Sequence, residues 1–111
     1  MLKTVMNLFV YGSLKSTLLL KELLDRVPES IPAILQGYKK IPKAYECRYP
    51  VAIKHTKSIL TGKLLLNLTK EDFKKIDKYE ATPENFYKKS KVPVKTKKGK
   101  FPAAVYIRNR V

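Results

Sequence analysis

The sequence predicts an α+β fold: a small mixed sheet, curled or barrel-like, carrying two main helices. Three observations lead there. Apolar segments follow one another in the order strand, helix, several strands, helix, two strands, and only two of them have helical spacing. The others are short and bounded by Gly, Pro and polar clusters, as strands are. The 111 residues, 44% of them hydrophobic, suffice to bury most of one core and are too few for two, so residues 1–111 read as a single domain.

Residues 4–10 read as the first strand, since Val5, Leu8, Phe9 and Val10 are strand formers. The run stops at Tyr11-Gly12-Ser13, where Gly12 supplies the backbone freedom for a sharp turn. Ser16 and Thr17 are good N-caps and Leu18 to Leu24 has helical spacing, giving a helix over about 17–26. The segment Val27 to Pro32 ends it, because proline cannot continue a helix. Residues 33–41 predict a strand with a bend or bulge at Gly37, closed by Pro42. Tyr45, Cys47 and Tyr49 alternate with Glu46 and Arg48, and Val51 and Ile53 follow Pro50, which predicts an interrupted or edge strand. His55 to Ser58 reads as a polar loop before residues 59–67, a buried strand. Thr69 caps the second helix, with Glu71 and Asp72 in the first turn, where the dipole favours negative charge. Phe73, Ile76 and Tyr79 fall on one face of that helix, and Ala81 to Asn85 ends it. Residues 86–94 form a lysine-rich strand, 96–100 a turn around Gly99, and 103–107 the last strand.

No stretch approaches the roughly 18 consecutive apolar residues of a membrane span, no signal-peptide pattern opens the chain, and Cys47 is its only cysteine. The expectation is a cytoplasmic protein without a membrane partner. Twenty-four Lys and Arg against nine Asp and Glu give a formal net charge of +15, which raises nucleic acid as a partner. Only Arg26, Arg48, Arg108 and Arg110 are arginines, however, and the lysines recur along nearly the whole chain. Dispersed lysine suits a solvated surface better than bidentate phosphate recognition. A nucleic-acid or other anion-binding module is therefore kept as the alternative.

A strand, a glycine turn and a helix start leave several backbone N–H groups aimed at one spot, which suits a carboxylate or phosphate. The bland reading of Tyr11-Gly12-Ser13-Leu14 is an ordinary strand-to-helix turn, since it lacks the glycine patterns of nucleotide loops. His55, flanked by polar residues and lysines, reads as a surface residue, and Cys47 as a small core residue. Glu80 stands at the end of the second helix, where the negative end of the dipole tends to raise a carboxylate pKa and suit it to general base work. Its bland reading is a solvated glutamate among lysines, and Asp77 is expected to cap the helix or pair with a lysine.

Taken together these residues resemble the gamma-glutamylcyclotransferase-like family, which includes the gamma-glutamylamine cyclotransferases and the AIG2-like proteins. Tyr11-Gly12-Ser13-Leu14 resembles its Y-G-[ST]-L signature, Ile76-Asp77-Lys78-Tyr79-Glu80 its L-D-x-[FY]-E segment, and Phe86-Tyr87-Lys88-Lys89 with Val92-Pro93-Val94 its Y-x-[RK] strand. Ala81 and Lys89 depart from the glycine and arginine frequent in relatives. The resemblance implies a small mixed α+β barrel and release of 5-oxoproline from a γ-glutamyl amine, amino acid or modified lysine. It also implies Glu80 as general acid and base, the Tyr11-Gly12-Ser13-Leu14 turn holding the glutamyl end through backbone groups, and Tyr87 lining the pocket. Such an intramolecular reaction needs a folded substrate and one positioned base, with no metal or cofactor.

Overall fold

The computed structural model describes the backbone of residues 5–41, 51–80 and 87–108 and most of the side chains on it. The described strands are β1 (Val5–Val10), β2 (Ser30–Ile41), β3 (Val51–Thr69), β4 (Tyr87–Thr96) and β5 (Gly99–Arg108). The helices are α1 (Thr17–Leu24) and α2 (Lys70–Glu80), and a 3-10 turn spans Ser13–Lys15. The strands close into a barrel in the order β1-β3-β2-β4-β5. All neighbours are antiparallel except β1 and β5, which run parallel. The α+β class and the mixed barrel-like sheet with two helices are as the sequence predicts.

Strand alternation divides the core in two. Phe9, Tyr11, Leu35, Leu64, Val94 and Val105 meet in one cluster, inside the barrel. Leu8, Val10, Leu65 and Tyr106 point the other way and pack with Leu20 and Leu24 of α1 and Ile76 of α2. β1 is thus buried on both faces, which is why its sequence is a continuous apolar run rather than an alternation. Gly62 allows the close approach: a Cβ there would lie 2.2 Å from the Val10 carbonyl oxygen and 2.9 Å from the Phe9 ring.

Three segments differ from expectation. β2 begins at Ser30 and runs through Pro32, which pairs with Lys63. A strand proline is tolerated where its missing N–H would point away from the partner strand. β3 is continuous through His55 to Ser58, where a loop is expected. The expectation is half met in the pairing, because Tyr38 faces Lys54 while Gln36 faces Ile59, so residues 55–58 stand opposite Gly37 alone. Gly37, at φ 84°, makes the bend there that the sequence predicts. β5 starts at Gly99 rather than 103, because the turn is only Lys97-Lys98 and the strands pair from Thr96 and Gly99 onward. The expected strand around Tyr45, Cys47 and Tyr49, the helix stop at 81–85, and Phe86 lie outside the described residues.

The barrel closes through thin seams. β2 and β4 share one residue pair, Ile34 with Lys95, and β1 and β5 share two, Leu8 with Ala104 and Phe9 with Val105. Backbone groups alternate edges along a strand, so Pro32 and Pro93, each two residues before a member of the Ile34–Lys95 pair, present their donorless nitrogens to that same seam. Pro93 pairs with Pro102. Pro102 presents its nitrogen on the other side of the hairpin, toward β1, and pairing with β1 begins only at Ala104.

Candidate functional site

β1 delivers Tyr11 to the end of the barrel, where it is 6% exposed and its ring stacks on that of Phe9, with centroids 6.3 Å apart. The Tyr11 hydroxyl donates to the Tyr106 carbonyl oxygen of β5 at 2.6 Å. Tyr106 turns its own side chain to the helical layer and donates its hydroxyl to the Asp77 carboxylate of α2. Sequence reasoning expects Asp77 to cap the helix or pair with a lysine, and the structure gives it the Tyr106 hydroxyl. The end of β1, the C-terminal part of β5 and the last turns of α2 are so joined by consecutive hydrogen bonds. Tyr106 escaped sequence reasoning, although strand alternation with Ala104 would have put it on the helix-facing side.

Beyond Tyr11 the backbone bends at Gly12 and enters the 3-10 turn, closed by the Lys15 N–H donating to the Gly12 carbonyl at 3.0 Å. Such a turn leaves its first N–H groups without partners inside the turn. Leu14 sinks into the helical-layer core at 3% exposure and anchors the bend. Ser16 then caps α1, its side chain accepting from the Leu19 N–H at 3.3 Å.

Glu80 is the last residue of α2, one helical turn beyond Asp77. Tyr87 opens β4 opposite Arg108, two residues along from the Lys89–Tyr106 pair. The side chains of Ser13, Glu80 and Tyr87 lie outside those described. On the backbone, the Gly12 turn follows directly on Tyr11 and Glu80 lies three residues beyond Asp77, so each sequence-predicted segment adjoins one end of the Tyr11–Tyr106–Asp77 connection.

α2 is itself fixed at its start. The Thr69 hydroxyl accepts from the Asp72 N–H at 3.2 Å, and the Asp72 carboxylate accepts from the Thr69 N–H at 2.9 Å and pairs with Arg26. This reciprocal arrangement is a capping box with Asp in the third position. Burial alone pushes the Asp72 carboxyl up, but the Thr69 N–H, the Arg26 guanidinium and the Thr69 hydroxyl together hold it below its ordinary value. His55 is exposed, its Nδ1 2.7 Å from the Ser58 hydroxyl. Cys47 lies outside the described residues. Among the described residues no group of three His, Cys, Asp or Glu could hold a metal, and no helix is long and apolar enough to cross a membrane.

A family model described as "Gamma-glutamyl cyclotransferase, AIG2-like" matches residues 8–111. "AIG2-like protein C" of Arabidopsis thaliana is 32% identical over 78 residues, covering 70% of this chain and 45% of the relative. The chain spans less than half the length of the curated relatives it matches. A solution structure from Arabidopsis thaliana superposes with a TM-score of 0.84 at 26% identity, over 96% of this chain and 70% of that one. A structure named gamma-glutamyl cyclotransferase superposes with a TM-score of 0.76 at 15% identity, over 96% of this chain and 68% of that one, and shows the shared fold.

Proposed function

The chain belongs to the gamma-glutamyl cyclotransferase, AIG2-like family, and from that membership we propose that it releases 5-oxoproline from a small γ-glutamyl amine, amino acid or modified lysine. What supports the reading is the hydrogen-bonded connection from Tyr11 through Tyr106 to Asp77, whose two ends adjoin in sequence the turn after β1 and the last turn of α2. In the proposed reaction the backbone of Gly12, Ser13 and Leu14 holds the glutamyl carboxylate. Glu80 takes a proton from the substrate α-ammonium, and the freed amine attacks the γ-carbonyl carbon. The five-membered ring closes, Glu80 returns the proton to the leaving nitrogen as its bond to carbon breaks, and the ring nitrogen gives its second proton to the departing amine, which leaves as an ammonium. Attacking and attacked atoms belong to one molecule, so the protein's task is to hold the amine about 3–3.5 Å from the carbonyl. Tyr87 is assigned to the wall of this pocket.

The test is a 5-oxoproline release assay on γ-glutamyl amino acids, γ-glutamyl amines, ε-(γ-glutamyl)-lysine and glutathione, with Glu80→Gln run in parallel. Turnover by the wild type, reduced about 10²–10⁴-fold in the variant, is the expected result for loss of a general acid and base. Equal turnover in a folded Glu80→Gln protein, or no release by the wild type across the panel, would remove the assignment.

A further inference from the structure

Away from this site, the thin β2–β4 seam opens into a cavity of about 310 Å³, lined among others by Ile34 and Tyr38 of β2, by Val92, Pro93 and Lys95 of β4, and by Lys100 of β5. Its size is at the lower end of small-molecule sites, and such sites combine apolar walls with a few convergent polar groups. Pro93, which lines the cavity, has no N–H to continue the ladder past the Ile34–Lys95 pair.

Two features of its lining lack a counterpart among the described residues. Tyr38 is only 7% exposed, yet among the described residues no group hydrogen-bonds its hydroxyl. A buried tyrosine hydroxyl normally finds a partner. Lys95 and Lys100 are directly opposed cross-strand partners, both exposed at the cavity. Like charges so placed repel, and the hairpin offers no relief: from Tyr87 to Arg108 the sequence holds seven lysines and no carboxylate.

We propose that the β2–β4 seam is a second binding site, for a small anion carrying an apolar body. The acid group lies against Lys95 and Lys100, the Tyr38 hydroxyl donates a hydrogen bond to the ligand, and the apolar body covers Ile34, Val92 and Pro93. A polynucleotide would be drawn to the lysines alike but would leave these apolar walls uncovered, so the lining favours the small amphipathic ligand.

The experiment is a backbone amide NMR titration of the full chain with phenylbutyrate, its uncharged analogue phenylbutanol, and acetate. Wild type is compared with Lys95→Gln/Lys100→Gln and with Tyr38→Phe. Phenylbutyrate is expected to bind one to one, with shifts concentrated at residues 34–38, 92–95 and 100. Losing both charges is expected to weaken it about tenfold, and losing the Tyr38 hydroxyl roughly threefold. Unchanged affinity in both variants, equal binding of phenylbutanol or acetate, no binding, or shifts centred on residues 11–15 would each overturn the proposal. So would an oligonucleotide that binds the lysines and loses nothing when phenylbutyrate is added.

Discussion

Gly62 shows how one atom can set the relation of three strands. It lies in β3 opposite Ala33 of β2, next to the Lys63–Val10 pair that joins β3 to β1. An added methyl group would overlap the Val10 carbonyl, a backbone atom that no rotamer change can move. Gly62→Ala is therefore expected to destabilise by about 1–3 kcal/mol or more, because overpacking here must shift β1 itself. Urea unfolding of variant and wild type measures this, and a change below a few tenths of a kcal/mol would show that the strand yields easily. In the sequence Gly62 stands between Thr61 and Lys63 in a strand-like segment, and its neighbours do not say which strand approaches it. The signal is a long-range backbone contact, visible only once β1 and β3 are paired. Tyr11, Gly12, Ser13 and Glu80 draw attention in the sequence because each breaks a local pattern: an aromatic and a glycine where a strand stops, a carboxylate at the wrong end of a helix. Tyr106 and Asp77 break none, and their connection emerges only when β5 is laid against α2.

α2 is the element whose sequence and structure agree most closely, from the Thr69 cap to the acidic first turn and the buried Ile76. The exception is Arg26, which reaches Asp72 from just beyond α1 and adds a tertiary charge to a local cap. The consequence is a pH dependence of definite sign. The folded-state pKa of Asp72 is depressed, so the unfolded chain binds a proton more readily. Its stabilising contribution is complete above the unfolded value of about 3.9 and is lost as pH falls through the lower folded value. Wild-type stability should thus fall below about pH 4 with a component that Asp72→Asn lacks. At neutral pH the same variant should be less stable by about 1–2 kcal/mol, since the amide keeps the shape but not the charge-assisted bonds. Denaturant midpoints from pH 2 to 7 test both statements, and parallel pH curves for the two proteins would dismiss the linkage. The strands were less legible than the helices for a related reason: a cap is a contact three residues apart, whereas the starts of β2 and β5 depend on which strand lies alongside. Pro32 reads as a stop in isolation and is harmless beside β3 because its nitrogen points to the seam.

At the scale of the whole molecule, barrel closure and charge are coupled. The class and approximate layout of the barrel were readable from alternation and segment order, but not its closure, since one residue pair between β2 and β4 and two between β1 and β5 leave almost no trace in sequence. Those seams hold the β4–β5 hairpin to the rest of the barrel, and the same hairpin carries seven lysines without an acid. Net charge of +15 in a body measuring 42 × 32 × 25 Å places every cation within the unscreened field of many others at low salt. The screening length is about 30 Å at 0.01 M and about 8 Å at 0.15 M ionic strength, so sodium chloride in that range converts a molecule-wide repulsion into a local one. Stability is expected to rise by about 1 kcal/mol, near 4 °C in Tm, between those two conditions. Lys97 and Lys98, exposed in the turn between β4 and β5, offer a control that disturbs no packing. Lys97→Glu/Lys98→Glu should be more stable than wild type at 0.01 M and less responsive to salt, because two opposite charges relieve the hairpin directly. A Tm that is flat or falls with sodium chloride, or a charge-reversed variant with the wild-type salt response, would mean that repulsion among the lysines does not limit the barrel's stability.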